Sequence, residues 1–202
     1  MSVGSAPQIP GYLVHSGFRR WSVAEYHRLI DTGFLGEDDP VHLLEGNMVL
    51  RTPPNPPHSN SVTRSIRTLV RILPDAWQLR SEQPITLPDS EPQPDITLAL
   101  GDHTTFRNRH PGPSDIGLLV EVADTSLIVD RVDMGRIYAR AGLPVYWIIN
   151  IVDRQVEVYT DPRPNAPVPA YATRTDYRPG DVVPLILDGQ QIARLLVDEL
   201  LG

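Results

Sequence analysis

IGLLVEV, Ile116 to Val122, sets a single acid in an otherwise apolar run. Its length and branched residues read as a strand buried on both faces, in the middle of a sheet. Alternation puts Leu118, Val120 and Val122 on one face and Leu119, Glu121 and Ala123 on the other. An ionised carboxylate left unpaired in an interior costs several kcal/mol, so Glu121 needs a cation, a metal or a cluster of hydrogen-bond donors. A structural bridge to an arginine, or a strand end close to water, would satisfy it equally well.

Working outward, the C-terminal side predicts a helix over about 130 to 141, with Met134, Ile137, Tyr138 and Ala141 on one side and Gly142 as the stop. VYWIIN follows as a core strand containing Trp147, and Arg154-Gln155 divides it from VEVYT in a hairpin. Beyond Pro162, RPGDVVPLIL and IARLLVDEL suggest two short strands and a closing helix. On the N-terminal side, a polar loop from Gly101 to Asp115 precedes the central strand, and its His103 and His110 have no recognised ligand spacing. DITLAL starts a strand directly after Pro94, and β-like runs cover Trp77 to Gln83 and Ile85 to Leu87. Val62, Ile66, Leu69, Val70 and Leu73 mark a helix from His58, with Arg64, Arg67 and Arg71 on its opposite side. Pro53, Pro54, Pro56 and Pro57 exclude regular structure before it. VHLLEGNMVLR reads as two strands around Glu45-Gly46-Asn47, and a capping box of Ser22 and Glu25 opens a helix over about 23 to 32. The order predicts an α/β fold, a mixed sheet flanked by helices.

The 202 residues suit one domain, here 21–202, with an N-terminal extension over 1–20 and a C-terminal elaboration from about 162. No apolar run approaches the roughly 18 residues of a membrane span, and no secretory signal opens the chain, so the cytoplasm is the expected compartment. There is no cysteine, so a metal must be held by oxygen or imidazole. All 18 basic residues are arginine, which excludes any mechanism built on a lysine amine. The net charge of −7 opposes charge-driven binding to a polyanion, although local patches can still achieve it.

Asp95 is the second acid of interest. Strands close in sequence usually neighbour one another, so Asp95 and Glu121 converge at one sheet end, where two carboxylates suit a hard cation such as Mg²⁺ or Mn²⁺. A Pro-Asp pair is also a common strand-initiating turn.

PQPDITLAL, HPGPSDIGLLVEVADTS and DRVDMGRIYARAGLPVYWIIN, in that order, resemble the Uma-type family of restriction endonucleases, a bacterial group in the PD-(D/E)xK nuclease superfamily. LLEGNMV, with His58 after a proline-rich turn, is similar to the family's upstream block, and the match runs from about Glu25 to Tyr159. The resemblance implies a sheet flanked by helices, Asp95 and Glu121 as metal ligands, Glu45 and His58 as supporting residues, and DNA as substrate. It also implies a lysine, two residues after the glutamate or on the following helix. This chain has Ala123 and Met134 at those places. Loss of one such stabiliser costs about 10² to 10³ in rate.

Arg131, one turn before Met134, is the expected substitute cation, though a surface pairing with a nearby Asp explains it as well. The Arg64, Arg67 and Arg71 stripe is a candidate for DNA phosphates, or simply a solvated helix face. Two classes of function remain: a metal-dependent endonuclease, and a non-catalytic module that keeps the nuclease scaffold for binding or assembly. Cutting both strands commonly uses two sites, so a homodimer is expected by analogy.

Overall fold

The computed structural model describes residues 19–36 and 39–201; the expected N-terminal extension lies outside them except for Arg19 and Arg20. Ser22 caps α1 (Val23–Asp31) through the reciprocal capping box with Glu25. The strands β1 (Val41–Leu44) and β2 (Asn47–Leu50) form a hairpin whose turn is Glu45-Gly46. Both turn residues have positive φ, 49° and 75°, which gives a turn twisted in the same sense as its strands. A Cβ at Gly46 would lie 2.8 Å from Arg20 Cβ, so glycine is required there for space as well as conformation.

α2 (Pro56–Val70) begins inside the proline cluster rather than after it. Asn55 is its N-cap, and Pro56 and Pro57 occupy the first turn, where a missing N–H breaks no helical bond. The main sheet has six strands in the order β3 (Trp77–Ser81), β4 (Ile96–Leu100), β5 (Ile116–Ala123), β6 (Val145–Asn150), β7 (Gln155–Arg163) and β8 (Ala170–Tyr177). Only β5 and β6 run parallel. The crossover between them is helix α3, spanning 127–140, with an α turn (Leu127–Val129), a π-helical turn (Asp130–Met134) and an α segment (Gly135–Arg140). It starts three residues earlier than the sequence suggests.

The alternation along β5 holds. Leu118, Val120 and Val122 pack beneath Val62 and Leu69 of α2 and against a second hairpin, β9 (Val182–Leu187) and β10 (Gln190–Leu196). Leu119 and Ala123 pack with Met134, Ile137 and Tyr138 of α3. All eight residues of β5 are buried, as a strand covered on both faces must be.

Three further expectations fail. IARLLVDEL forms β10 and a 3₁₀ turn (Val197–Glu199) rather than a closing helix, because Asp188 and Gly189, both at positive φ, fold it back onto β9. Ile85 and Leu87 are buried, but the segment is irregular; the amides of 85–87 bond Pro92, Pro111 and Ser90 carbonyls instead of a ladder. The stretch after Pro162 also supplies β8, which extends the main sheet.

Candidate active site

β4 and β5 are antiparallel neighbours with Ile96 opposite Val120, so the start of β4 and the end of β5 meet at one sheet end. Asp95 and Glu121 converge there. Glu121 Oε2 accepts from the Asp95 amide at 3.2 Å, and Glu121 Oε1 accepts from the Tyr138 hydroxyl at 2.6 Å. Asp95 Oδ2 accepts from the Val122 amide at 2.7 Å and lies 3.0 Å from His58 Nε2. His58 stands in the first turn of α2, just after Asn55, whose side chain reaches Asp124 at 2.8 Å. Pro56 and Pro57 fix this helix entry and so aim His58 at the carboxylates.

A third acid joins them. Asp130, buried on the π turn, accepts from Ser126 Oγ at 2.5 Å. Burial raises the Glu121 carboxyl well above the usual range, and the charges of Asp95 and Asp130 raise it further. Burial likewise pushes Asp130 up to about 6, against the opposing Ser126 hydrogen bond. The bond to Asp95 raises His58. Among the described residues, no arginine pairs with Glu121, Asp95 or Asp130.

These groups line a cleft of about 450 Å³. Its other walls are the edge of β2, with Val49, Leu50 and Arg51, and the proline turn that follows. Met134 also lines it, 6% exposed and packed with Ile137 and Tyr138, so the methionine occupies apolar space beside the acids.

Not every expected site residue arrives. Arg131 points away from the cleft: its Nε donates to Glu157 Oε2 at 3.0 Å and its Nη2 to Asp153 at 3.3 Å. It therefore does not stand in for the lysine. Glu45 sits at the hairpin turn, bonded to Arg136 and, at 2.6 Å, to Arg140, outside the cleft lining. It ties the β1–β2 hairpin to α3. Arg64, Arg67 and Arg71 are exposed on the part of α2 that recedes from His58, and Arg64 Nη2 donates to the Asp198 carbonyl at 2.6 Å. Sequence reading passed over Asp130 and the hydroxyl of Tyr138. The signal for Asp130 was its spacing, four residues before the inward-facing Met134.

Among the described residues, no three carboxylate or imidazole side chains are already gathered around one ion position. Mg²⁺ keeps several waters and is commonly held by one or two carboxylates, so Asp95 and Glu121 are the residues that could hold one. The electrostatics fit as well: three acids packed without an arginine are disfavoured by mutual repulsion, and a divalent cation offsets that.

The family model described as "Uma2: Putative restriction endonuclease" matches residues 23–194. No curated protein matches the chain. Among solved structures, one titled as a putative nuclease belonging to DUF820 from Anabaena variabilis ATCC 29413 aligns with a TM-score of 0.63 at 16% identity. The alignment covers 89% of this chain and 96% of that one. At that identity the likeness is one of fold.

Proposed function

Since the chain belongs to the Uma2 family, described as restriction endonucleases, we propose that it is a metal-dependent phosphodiesterase acting on DNA. The observation that carries this reading is Glu121: a buried acid, held by hydrogen bonds beside Asp95, open to a cleft and lacking an arginine partner among the described residues. Asp95 and Glu121 are the residues that would hold Mg²⁺ or Mn²⁺. When bound, such an ion would polarise a phosphoryl oxygen and make a coordinated water more acidic.

The chain's own groups prepare that site. Tyr138 and the Asp95 amide fix both oxygens of Glu121, while the Val122 amide and His58 fix Asp95. The hydrogen bond to Asp95 favours the protonated form of His58, and Met134 forms an apolar wall beside the acids. With Arg131 engaged elsewhere, the cation placed to face a bound phosphate is Arg51, which lines the cleft at the end of β2. Guanidinium stays protonated, so Arg51 stabilises charge and does not act as a base.

The test is supercoiled plasmid incubated with purified protein and Mn²⁺, Mg²⁺ or a chelator. Metal-dependent nicking that falls at least about 10³-fold in Glu121→Ala supports the reading, since a lost site exceeds the loss of a single stabiliser. Cleavage unchanged in that variant overturns it.

One observation favours a second reading, a non-catalytic binding module on the nuclease scaffold: both lysine places are apolar, at Ala123 and Met134, and Arg131 is bound to Glu157. Tight Mn²⁺ binding by calorimetry, without cleavage, would select it.

A further inference from the structure

We propose that a groove at the same sheet end as the acids, lined by Arg131, Arg154, Arg174 and Arg178, grips the phosphates of duplex DNA beside the cleft. The proposal rests on the nuclease reading and locates the contact surface that reading lacks.

The register places it. Ala123 pairs with Asn150, Asn150 with Gln155, and Val156 with Tyr177, so the end of β5, the turn from β6 into β7 and the end of β8 lie along one edge. Arg154 occupies that turn and Arg178 follows β8 directly. Strands stand about 4.8 Å apart, so the groove begins roughly 10 Å from Glu121 and extends to roughly 15 Å. Phosphates on one strand of a duplex advance about 3.4 Å each along the axis, which puts this groove three to four nucleotides from the acids.

The groove is built, and not merely charged. Glu157 is fully buried on β7 and holds Arg131 at 3.0 Å and Arg174 at 3.2 Å. Both guanidiniums are thereby fixed in place, yet among the described residues Nη1 of each makes no bond to protein. Arg154 and Arg178 are exposed, and no described residue bonds their side chains. Asp153 and Asp176 also face the groove and pair with Arg131 and Arg174, so with Glu157 three carboxylates stand against four guanidiniums, and the unpaired positive charge is that of Arg154 and Arg178. Forks with free N–H groups, braced from behind and splayed along a concave edge, match phosphate oxygens. The Arg64, Arg67 and Arg71 stripe has no buried carboxylate behind it, only the Arg64 bond to the Asp198 carbonyl, and leads away from the acids.

A fluorescently labelled DNA duplex of about 20 base pairs, titrated by anisotropy in chelator over a range of salt, tests this. The variant is Arg154→Asn with Arg178→Ala; asparagine is chosen because residue 154 has φ of 53°, a conformation it tolerates. Arg163→Ala, at the far end of β7, removes a charge elsewhere as a control. We expect the double variant to bind about tenfold more weakly and to lose about two from the salt slope, one per phosphate contact. Arg163→Ala should keep the wild-type slope. Equal slopes for the double variant and wild type overturn the groove, even where plasmid cleavage shows the nuclease reading to hold. Wild type that binds through the groove without cutting supports the groove against that reading, and wild type that neither binds nor cuts removes both.

Discussion

Glu121 and Glu157 stand in one register row of the sheet, each opposite Ile148, on the same face and two strands apart. Each lies between two valines, and each is buried. Their surroundings differ in sign. Burial tends to raise Glu157 too, but bonds from Arg131, Asn150, Tyr159 and Gln155 outweigh it and hold the carboxyl down to about 2. Glu121 meets Asp95 and Asp130, and is raised. The π turn supplies both environments from adjacent residues, Asp130 toward one glutamate and Arg131 toward the other. A buried acid with its arginine is a brace. A buried acid among acids is what the proposed metal site rests on.

Removing the brace should have the largest effect. Glu157→Gln strands Arg131 beside a neutral side chain and is expected to destabilise the protein by about 3–5 kcal/mol in urea unfolding. A loss below about 1 kcal/mol would place Glu157 with ordinary surface ion pairs. Met134→Lys tests the contrast from the other side, because it brings to Glu121 the cation that Glu157 already has. If the site is otherwise intact, Mn²⁺-dependent cleavage rises about 10²- to 10³-fold. No gain would mean that more than the cation is missing.

The pH dependence follows from the same pair. Glu157 has its carboxyl depressed from 4.5 to about 2, so the native state binds fewer protons there than the unfolded chain. Its contribution is complete above about pH 4.5 and is lost as pH falls toward 2. The stability gap between wild type and Glu157→Gln should therefore narrow over that window, by up to about 3 kcal/mol. Asp130 runs the opposite way. Raised from 3.8 to about 6, it erodes metal-free stability as pH climbs through that interval. The smallest effect is expected from Glu121→Gln, which relieves the raised carboxyl. Its metal-free Tm should rise by about 2–4 °C, the shift that about 1 kcal/mol gives a domain of this size. A fall in Tm would show that the acid is already satisfied.

Both glutamates lie between two valines, yet only Glu121, the one acid of its strand, stands out in the sequence. VEVYT reads as an ordinary hairpin strand, and nothing local reveals that β8 covers it and that Arg174 arrives from there. Periodicity located β5, α2 and the inward face of α3, because burial on a known face is a local property. Compensation is not. Whether Arg131 or Asp130 reaches Glu121 depends on a π turn, and the spacing of apolar residues 134, 137, 138 and 141 is compatible with an uninterrupted α-helix. IARLLVDEL failed for a related reason: Ile192, Leu195 and Leu196 satisfy helical spacing, and only pairing with β9 decides for a strand. His58 is a supporting candidate by resemblance whose position the sequence leaves open, since its direction follows from where Asn55 starts α2.

The wide turn at Asp130 to Met134 carries a consequence for how this segment can change over time. Either neighbouring side chain can be exchanged while the backbone path stays the same. Dropping one residue would rotate everything upstream of it, moving the acid off one glutamate and the guanidinium off the other in a single step. The stretch should thus accept point replacements far more readily than deletions, and a scan of single-codon losses across 127–135 would find its sharpest intolerance there.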